Sequence, residues 1–241
     1  MRRLLSSSRV GGCWFSTHVD HTTQRPGMVD VSKKPPTART AVAIAFVRFP
    51  ECVSDAIVRS WESDAEMKRR PPTSASGLST TTKRRGTNSL KLLAMRDWES
   101  KKGPVLATAI VAGTLAVKST SVIIPFCHPL PIDACKITAD FALQRRKPRR
   151  LCAAKRRGGR SWSERWKVPG VRISCEVGVT HRTGVEMEAL TGAAVAALTV
   201  YDMVKGVPGA QQGGMGIERV SLLRKTGGKS DVVRRVSSRC R

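Results

Sequence analysis

A cysteine and a histidine stand side by side in the segment IIPFCHPLP, residues 123–131. Cys127 and His128 could be a nucleophile with its base, part of a metal site, or groups that hold a substrate. Neighbouring side chains of an extended segment point to opposite faces, so these two are poorly placed to act on each other. Taken alone, the pair favours a packed cysteine and a histidine bonded to a polar neighbour. Pro125 and Pro129 fix their own φ angles and predict a rigid segment.

The other cysteines and histidines do not complete a metal site. The chain has seven cysteines, no two of them spaced as C-x-x-C, and four histidines, which are scattered. An odd cysteine count without such spacing indicates a reducing compartment. The sequence therefore predicts no metal, neither structural zinc nor an iron–sulfur cluster.

Two acids lie on one stripe of an alanine-rich segment, residues 183–207, that predicts a helix. Glu188 and Asp202 are fourteen positions apart, which is about 21 Å along a helix axis. They cannot serve one small ligand from the same helix, so if both are functional the site must combine two copies of the helix across a subunit interface. The alternative is ordinary solvated charge at the two helix ends, where Lys205 also suits the helix dipole.

The predicted strands and helices that must position these residues do not alternate regularly along the chain. This order predicts an α+β sandwich. An apolar surface on all sides predicts that the helix of residues 104–123 is buried. The segments of residues 133–143 and 171–180 alternate and are expected to pair as strands. The remaining predicted elements are a strand at residues 37–49, the helix of residues 183–207, and a strand with a glycine-rich turn at residues 217–230.

The net charge of +25 at first favours a nucleic-acid-binding protein. However, 20 of these charges lie in residues 1–27, 62–101, 142–170 and 230–241. The mildly basic remainder suits a small polyanion equally well. The composition of residues 62–101 and of residues 142–170 indicates that both stretches are disordered insertions. The second stretch lies between two predicted strands and would be an oversized hairpin loop. An RNA- or membrane-binding arm and translated intron sequence remain alternatives.

The chain is therefore expected to hold one domain, residues 28–230, followed by a basic tail, residues 231–241. Residues 1–27 are rich in Arg and Ser and resemble a mitochondrial transit peptide. This predicts a location in the mitochondrial matrix, with a disordered basic tail and a cytoplasmic protein as the alternative. No apolar run reaches the ~18 residues that predict a membrane span.

Five segments of the chain form a specific set. They are MVDVS (28–32), KGPVLATAIVAGTLAVK (102–118), IPFCHPL (124–130), GVEMEALTGAAVAALTVYDMVK (184–205) and LLRKTGGKS (222–230). Together they resemble the MoaC-type cyclic pyranopterin monophosphate synthases of molybdenum cofactor biosynthesis. The resemblance covers roughly 150 residues, and the combination of CHPL, VEMEALT and YDM is highly specific. Order and spacing fit once the two insertions are removed.

The resemblance implies a ferredoxin-like α+β subunit that assembles as a homohexamer, a trimer of dimers. It implies a lyase that converts 3',8-cyclo-7,8-dihydroguanosine 5'-triphosphate into cyclic pyranopterin monophosphate and releases pyrophosphate, with no cofactor. A separate radical GTP cyclase would supply this cyclised GTP intermediate. A nucleic-acid-binding protein or an inactive relative on the same scaffold remains the alternative.

The resemblance also implies residue roles. By their positions in the motifs, the catalytic residues would be Asp202, Lys205 and Lys102. The substrate-binding residues would be Phe126, Cys127, His128, Met187 and Glu188, with Lys118 and Lys225 suited to the triphosphate. The reaction requires proton transfers to nitrogen and oxygen, for which Asp202, Lys102 and Lys205 are suitable acid–base groups. A lysine surrounded by other cations is expected to have a lowered pKa.

Two departures from the family pattern lie close to these residues. Pro104 stands where an aspartate is usual after Lys102 and Gly103, which affects the loop that carries the lysine. His181 and Arg182 stand where Gly-Lys is expected.

Overall fold

The structure is a computed structural model that describes residues 25–67, 98–146 and 166–234. The predicted targeting segment, both predicted insertions and the predicted basic tail lie largely outside these described residues. The side chains of residues 65–67 are likewise not described.

The described residues form an antiparallel sheet with helices packed on it. The strands run in the order β4-β5-β1-β6-β7, and a separate two-stranded hairpin pairs β2 with β3. The elements are β1 (Thr37–Arg48), α1 (Glu51–Met67), β2 (Glu99–Ser100), β3 (Gly103–Pro104), α2 (Val105–Lys118), α3 (Thr120–Ile123), β4 (Ala134–Arg145), β5 (Trp166–His181), α4 (Glu186–Val204), β6 (Gly216–Thr226) and β7 (Val232–Val233).

The connectivity of the four long strands is ferredoxin-like. β1 lies between β5 and β6, and a helical connection precedes each of β4 and β6, which gives the β-α-β-β-α-β pattern. Alternate residues of β1 and β5 are buried against the helices, as expected for a sheet with one covered face. The predicted α+β fold is confirmed.

The long hairpin of β4 and β5 carries the basic stretch between its strands. The two strands pair with Ile137 opposite Cys175, and the pairing extends as far as Arg145 opposite Trp166. At the base of the connection, Arg146 forms ion pairs with Glu51 and Asp55 of α1, and its Nε donates to the Trp166 carbonyl at 3.2 Å. The two ends of the connection are thus fastened to each other and to α1.

Helix α1 is an element that the sequence analysis did not predict. Residues 62–67, which were assigned to the first insertion, are the last turns of this helix. Its buried residues Val53, Ile57 and Trp61 recur every fourth position, a helical spacing that the surrounding charged residues obscure. Trp61 stacks edge-on against Phe141 of β4, with ring centroids 5.5 Å apart.

Helices α2 and α4 pack closely against each other. A Cβ atom on Gly113 would lie 2.8 Å from the Gly192 carbonyl oxygen, and one on Gly192 would lie 2.5 Å from Val117 Cγ2. The two glycines therefore allow a backbone approach that larger residues would prevent. The prediction of one helix buried on all sides is wrong, because it breaks at Ser119 and Leu115 is 59% exposed.

Helix α4 is long and apolar enough to cross a membrane, judged by length and composition alone. Half of its most apolar window is nevertheless buried inside the subunit, where it packs on α2, β1, β5 and β6. The alanines Ala189, Ala193 and Ala196 are fully buried. This is the packing of a core helix, in which small side chains let the helix lie close to the sheet.

The glycine-rich turn after β6 depends on one residue. Gly227 has φ +83°, and a Cβ atom there would lie 2.0 Å from the Ala38 carbonyl oxygen. Its carbonyl accepts a hydrogen bond from Thr37 Oγ1, and its N–H donates to Asp231 Oδ1. The turn returns the chain to the short strand β7, so the predicted basic tail begins with a paired strand.

We expect Gly227→Ala to lower the free energy of unfolding by about 1–3 kcal/mol, because the new side chain meets both an unfavourable φ and a backbone clash. Gly228→Ala is the matched control, since the nearest atom to its Cβ would be Arg39 Nη1 at 3.7 Å. Urea unfolding of both variants measures the difference. Equal midpoints for the two variants would contradict the assignment.

Candidate active site

Lys102 lies at the tip of the β2–β3 hairpin. Its backbone N–H donates to Ser100 Oγ at 3.1 Å, and the same hydroxyl donates to the Gly103 carbonyl at 3.1 Å. Gly103 has φ 103°, which suits glycine. Pro104 occupies the N-cap of α2 with φ −67°, where its missing N–H removes no helical hydrogen bond. The unusual Gly-Pro sequence therefore accommodates the turn, although α2 has no side-chain cap.

Three of the predicted site residues meet at the end of α4. Lys102 Nζ lies 2.5 Å from Asp202 Oδ2 and also donates to the Asp202 carbonyl at 3.2 Å. Lys205, which caps the same helix, places its Nζ 2.7 Å from Asp202 Oδ1. The two lysines thus hold the carboxylate from both oxygens. The three side chains are about half exposed, so a ligand can reach them.

Charge pairing sets the protonation of this cluster. Hydrogen bonds from Lys102 and then from Lys205 lower the pKa of Asp202 to about 2. The Asp202 carboxylate raises the pKa of Lys205 above its ordinary value. The expectation that a lysine among cations has a lowered pKa is therefore wrong for Lys205, because the carboxylate between the two lysines outweighs their repulsion.

The remaining predicted site residues gather at the opposite end of α4. Helices α2 and α4 run antiparallel, so the end of α2 and the segment after it lie beside the start of α4. Glu188 is only 4% exposed, and burial raises the pKa of its carboxyl group. Burial first, and then the charge of Glu188, raises the pKa of Cys127. A thiol with a raised pKa is a poor nucleophile, which agrees with the sequence argument against a reactive Cys127–His128 pair.

Cations and apolar side chains surround this second cluster. Lys225 Nζ forms an ion pair with Glu186 Oε1 at 3.2 Å. Lys118 ends α2 and lies close enough to Cys135 to act on its charge. Phe126 and Met187 are 38% and 39% exposed, so both leave apolar surface open to a ligand or a partner.

His128 lines a cavity of about 450 Å³. The other lining residues are the segment of residues 28–32, His181 and Arg182. Sequence analysis found that segment within the MVDVS motif but assigned it no role, and it recorded His181 and Arg182 only as departures. Their common position around His128 depends on the pairing of β1 with β5, which brings Thr37 opposite His181.

The predicted site residues therefore form two clusters and not one. The first comprises Lys102, Asp202 and Lys205. The second, termed the Glu188 cluster, groups the seven predicted substrate-binding residues toward the start of α4. Its direct links are Cys127 with Glu188 and Lys225 with Glu186, and His128 lines a neighbouring cavity. The fourteen positions from Glu188 to Asp202 correspond to about 21 Å of helix.

Comparison with known proteins identifies the family. The model of the MoaC family matches residues 68–228. A cyclic pyranopterin monophosphate synthase of Xanthomonas axonopodis pv. citri is 39% identical over 216 residues, which covers 90% of this chain and 92% of that protein. The chain belongs to the MoaC family.

Two further MoaC-related proteins are longer. The molybdenum cofactor biosynthesis bifunctional protein of Synechocystis is 35% identical over 90% of this chain and 45% of its own length. The molybdenum cofactor biosynthesis protein 1 of Dictyostelium discoideum is 35% identical over 89% of this chain and 26% of its own length. In both relatives the sequence similar to this MoaC-family chain forms part of a larger protein.

We expect Lys102→Met to raise the pKa of Asp202 from about 2 toward its ordinary value, because the strongest hydrogen bond to the carboxylate is lost. A depressed pKa stabilises the folded protein above the unfolded value of about 3.9, and this contribution disappears as the pH falls through the folded pKa of about 2. ¹³C-carboxyl NMR from pH 5 to about pH 1 follows the titration through the folded pKa of about 2. Lys101→Met, at an exposed neighbour, is the control, and an unchanged Asp202 titration in Lys102→Met would refute the pairing.

Proposed function

We propose that this protein is a cyclic pyranopterin monophosphate synthase, a lyase that converts 3',8-cyclo-7,8-dihydroguanosine 5'-triphosphate into cyclic pyranopterin monophosphate and pyrophosphate. The observation that carries the proposal is the lysine–aspartate–lysine cluster at the end of α4, formed by the residues that the MoaC motifs assign to catalysis. The names of the relatives support it.

The cluster suits the placing of fixed charge better than proton abstraction. With a pKa of about 2, Asp202 is ionised at neutral pH and is a weak base. Lys205, whose pKa is raised, is protonated at neutral pH but is a weaker acid than an ordinary lysine, so it would donate its proton only to a nitrogen or oxygen of the opening ring that has become strongly basic. Asp202 would hold both ammonium groups in place, and the positive charge of the lysines would stabilise negative charge that develops in the transition state.

The Glu188 cluster suits binding. Phe126 and Met187 offer apolar surface to a heterocycle, and His128 offers a hydrogen-bonding group in a cavity of about 450 Å³, a size typical of small-molecule sites. Lys118 and Lys225 would contact the triphosphate, because cations compensate phosphate charge. No catalytic role is proposed for Cys127, which would line the pocket.

The separation of the two clusters leads us to propose that each active site combines two subunits within a homohexamer, a trimer of dimers. Val111, Leu115 and Leu198 form what we term the helix-face patch, and they are 57–60% exposed on α2 and α4. These two helices carry both clusters. A second copy docked on this patch with its helices antiparallel would bring its Asp202 end beside the Glu188 end of the first.

Two attributes of the proposal come from the sequence. The N-terminal composition supports a mitochondrial matrix location. A separate radical GTP cyclase would form the cyclised GTP intermediate. The described residues of this chain account only for the next step, which converts that intermediate into cyclic pyranopterin monophosphate.

Purified protein given the cyclised GTP intermediate should release cyclic pyranopterin monophosphate and pyrophosphate, measured by chromatography and a pyrophosphate assay. Asp202→Asn and His128→Ala should each lose activity by at least about 100-fold, because one lacks the acid–base cluster and the other a substrate contact. A wild-type protein of the expected mass in solution that forms no product would refute the function.

Mixing these two inactive variants tests the shared site. If each site takes His128 from one subunit and Asp202 from another, random reassembly restores intact sites to about a quarter of the total. Sites built within one subunit would regain no activity. The mixed oligomers are verified by tagging one variant and purifying on its tag.

We expect Leu115→Glu to dissociate the oligomer, because a charge would be buried within the helix-face patch. Arg59→Glu, at an exposed position of α1, is the control for a new negative charge. Light scattering gives the mass of both variants. A Leu115→Glu protein with unchanged mass would place the subunit interface elsewhere.

A further inference from the structure

The cavity beside His128 contains an acidic residue to which the family motifs give no role. Asp30 lines this cavity with the apolar residues Met28, Val29 and Val31. The other polar lining residues are Ser32, His128, His181 and Arg182. Apolar walls with a few polar groups of both charges suit a flat heterocycle that carries hydrogen-bond donors and acceptors. A triphosphate, by contrast, needs a concentration of cations.

The carboxylate of Asp30 is held in place and keeps acceptor capacity. Its Oδ1 accepts the backbone N–H of Ser32 at 2.8 Å, which forms a turn closed by the side chain. Hydrogen bonds from the backbone N–H and then the side chain of Ser32 lower the pKa of Asp30, so the group is ionised near neutral pH. A carboxylate offers about four acceptor positions, and Ser32 occupies only part of them.

The substrate carries the complementary group. Its dihydroguanosine part retains the 2-amino-4-oxopyrimidine ring of guanine, whose edge presents a ring N–H and an exocyclic amine as adjacent donors and a carbonyl as an acceptor. An ionised carboxylate accepts from such a donor pair, and a guanidinium donates to the carbonyl. Asp30 and Arg182 provide this combination in one cavity.

We propose that Asp30 recognises the amino-pyrimidinone edge of the substrate and so sets the orientation of the heterocycle beside His128. This inference rests on the proposed function for the identity of the substrate. Arg182 faces the carbonyl of the same ring, and the segment of residues 28–32 is a wall of the binding site.

Glu188 is the competing carboxylate at this end of α4. It is only 4% exposed, and among the described residues it does not belong to those that line the His128 cavity. Asp30 is exposed and is one of the residues that line this cavity. The geometry therefore favours Asp30 for the donor edge.

Three nucleotides test the recognition without chemistry. GTP carries the same edge, ITP lacks the exocyclic amine, and XTP replaces the amine with a carbonyl. Calorimetric titration of the full chain should give about tenfold tighter binding of GTP than of ITP, because a hydrogen bond to a charged group is lost. Inorganic triphosphate serves as the probe for the phosphate contacts alone.

Asp30→Asn separates recognition from structure. The asparagine side chain retains an oxygen that accepts the Ser32 N–H and keeps the turn, but it replaces the second carboxylate oxygen with a donor. We expect the variant to lose the preference for GTP over ITP, to gain affinity for XTP, and to bind inorganic triphosphate unchanged. Asp133→Asn is the matched control, because Asp133 also accepts a backbone N–H, from Thr180, and does not line the cavity among the described residues.

Equal binding of GTP and ITP by the wild-type protein would overturn the proposal. So would an Asp30→Asn variant that keeps the wild-type preference, or a preference that disappears only in Glu188→Gln. Turnover of the cyclised intermediate by the wild-type protein in such a case would leave the proposed function intact. Absence of turnover with an Asp30-dependent preference for GTP would refute the function and keep the recognition.

Discussion

The contact of α2 with α4 is the constraint on which the rest of the structure depends. Gly113 and Gly192 let the two helices approach with their backbones nearly touching. Because the helices run antiparallel, the loop before α2 reaches the end of α4, where Lys102 meets Asp202. The segment after α2 reaches the start of α4, where Cys127 meets Glu188. One packing contact thus assembles both clusters.

The two acids of α4, Asp202 and Glu188, have pKa values shifted in opposite directions by their surroundings. Asp202 is half exposed between two lysines, and these hold its pKa near 2. Glu188 is buried, and desolvation raises its pKa. The same residue class therefore has a pKa below its ordinary value at one end of the helix and above it at the other. The first stabilises and orients cations, and the second suits hydrogen bonding to a ligand.

The large positive charge of the chain does not define its function. Most of it lies in stretches outside the described residues, and the ordered hairpin base uses Arg146 for pairing with Glu51 and Asp55. Around the two clusters the cations are few, and most of them are paired with a nearby acid. This pattern suits a compact polyanionic substrate, because each cation has a fixed position.

The sequence by itself determined the fold class, the hairpin of β4 and β5, the helix α4 and the three residues that meet at its end, because these depend on local periodicity and on specific motifs. It also determined that Glu188 and Asp202 lie too far apart for one ligand, since helix geometry is local. Tertiary structure decided the rest. The charged helix α1 was not predicted from the sequence, and its role in the core depends on the packing of Trp61 against Phe141 of β4.

The lowered pKa of Asp202 and the position of Asp30 beside His128 likewise depend on tertiary structure. Both result from contacts between residues far apart in the chain, such as Lys102 with Asp202 or β1 with the end of β5. Such contacts leave no periodic trace in the sequence, because the sheet register and the helix crossing that create them are properties of the folded chain.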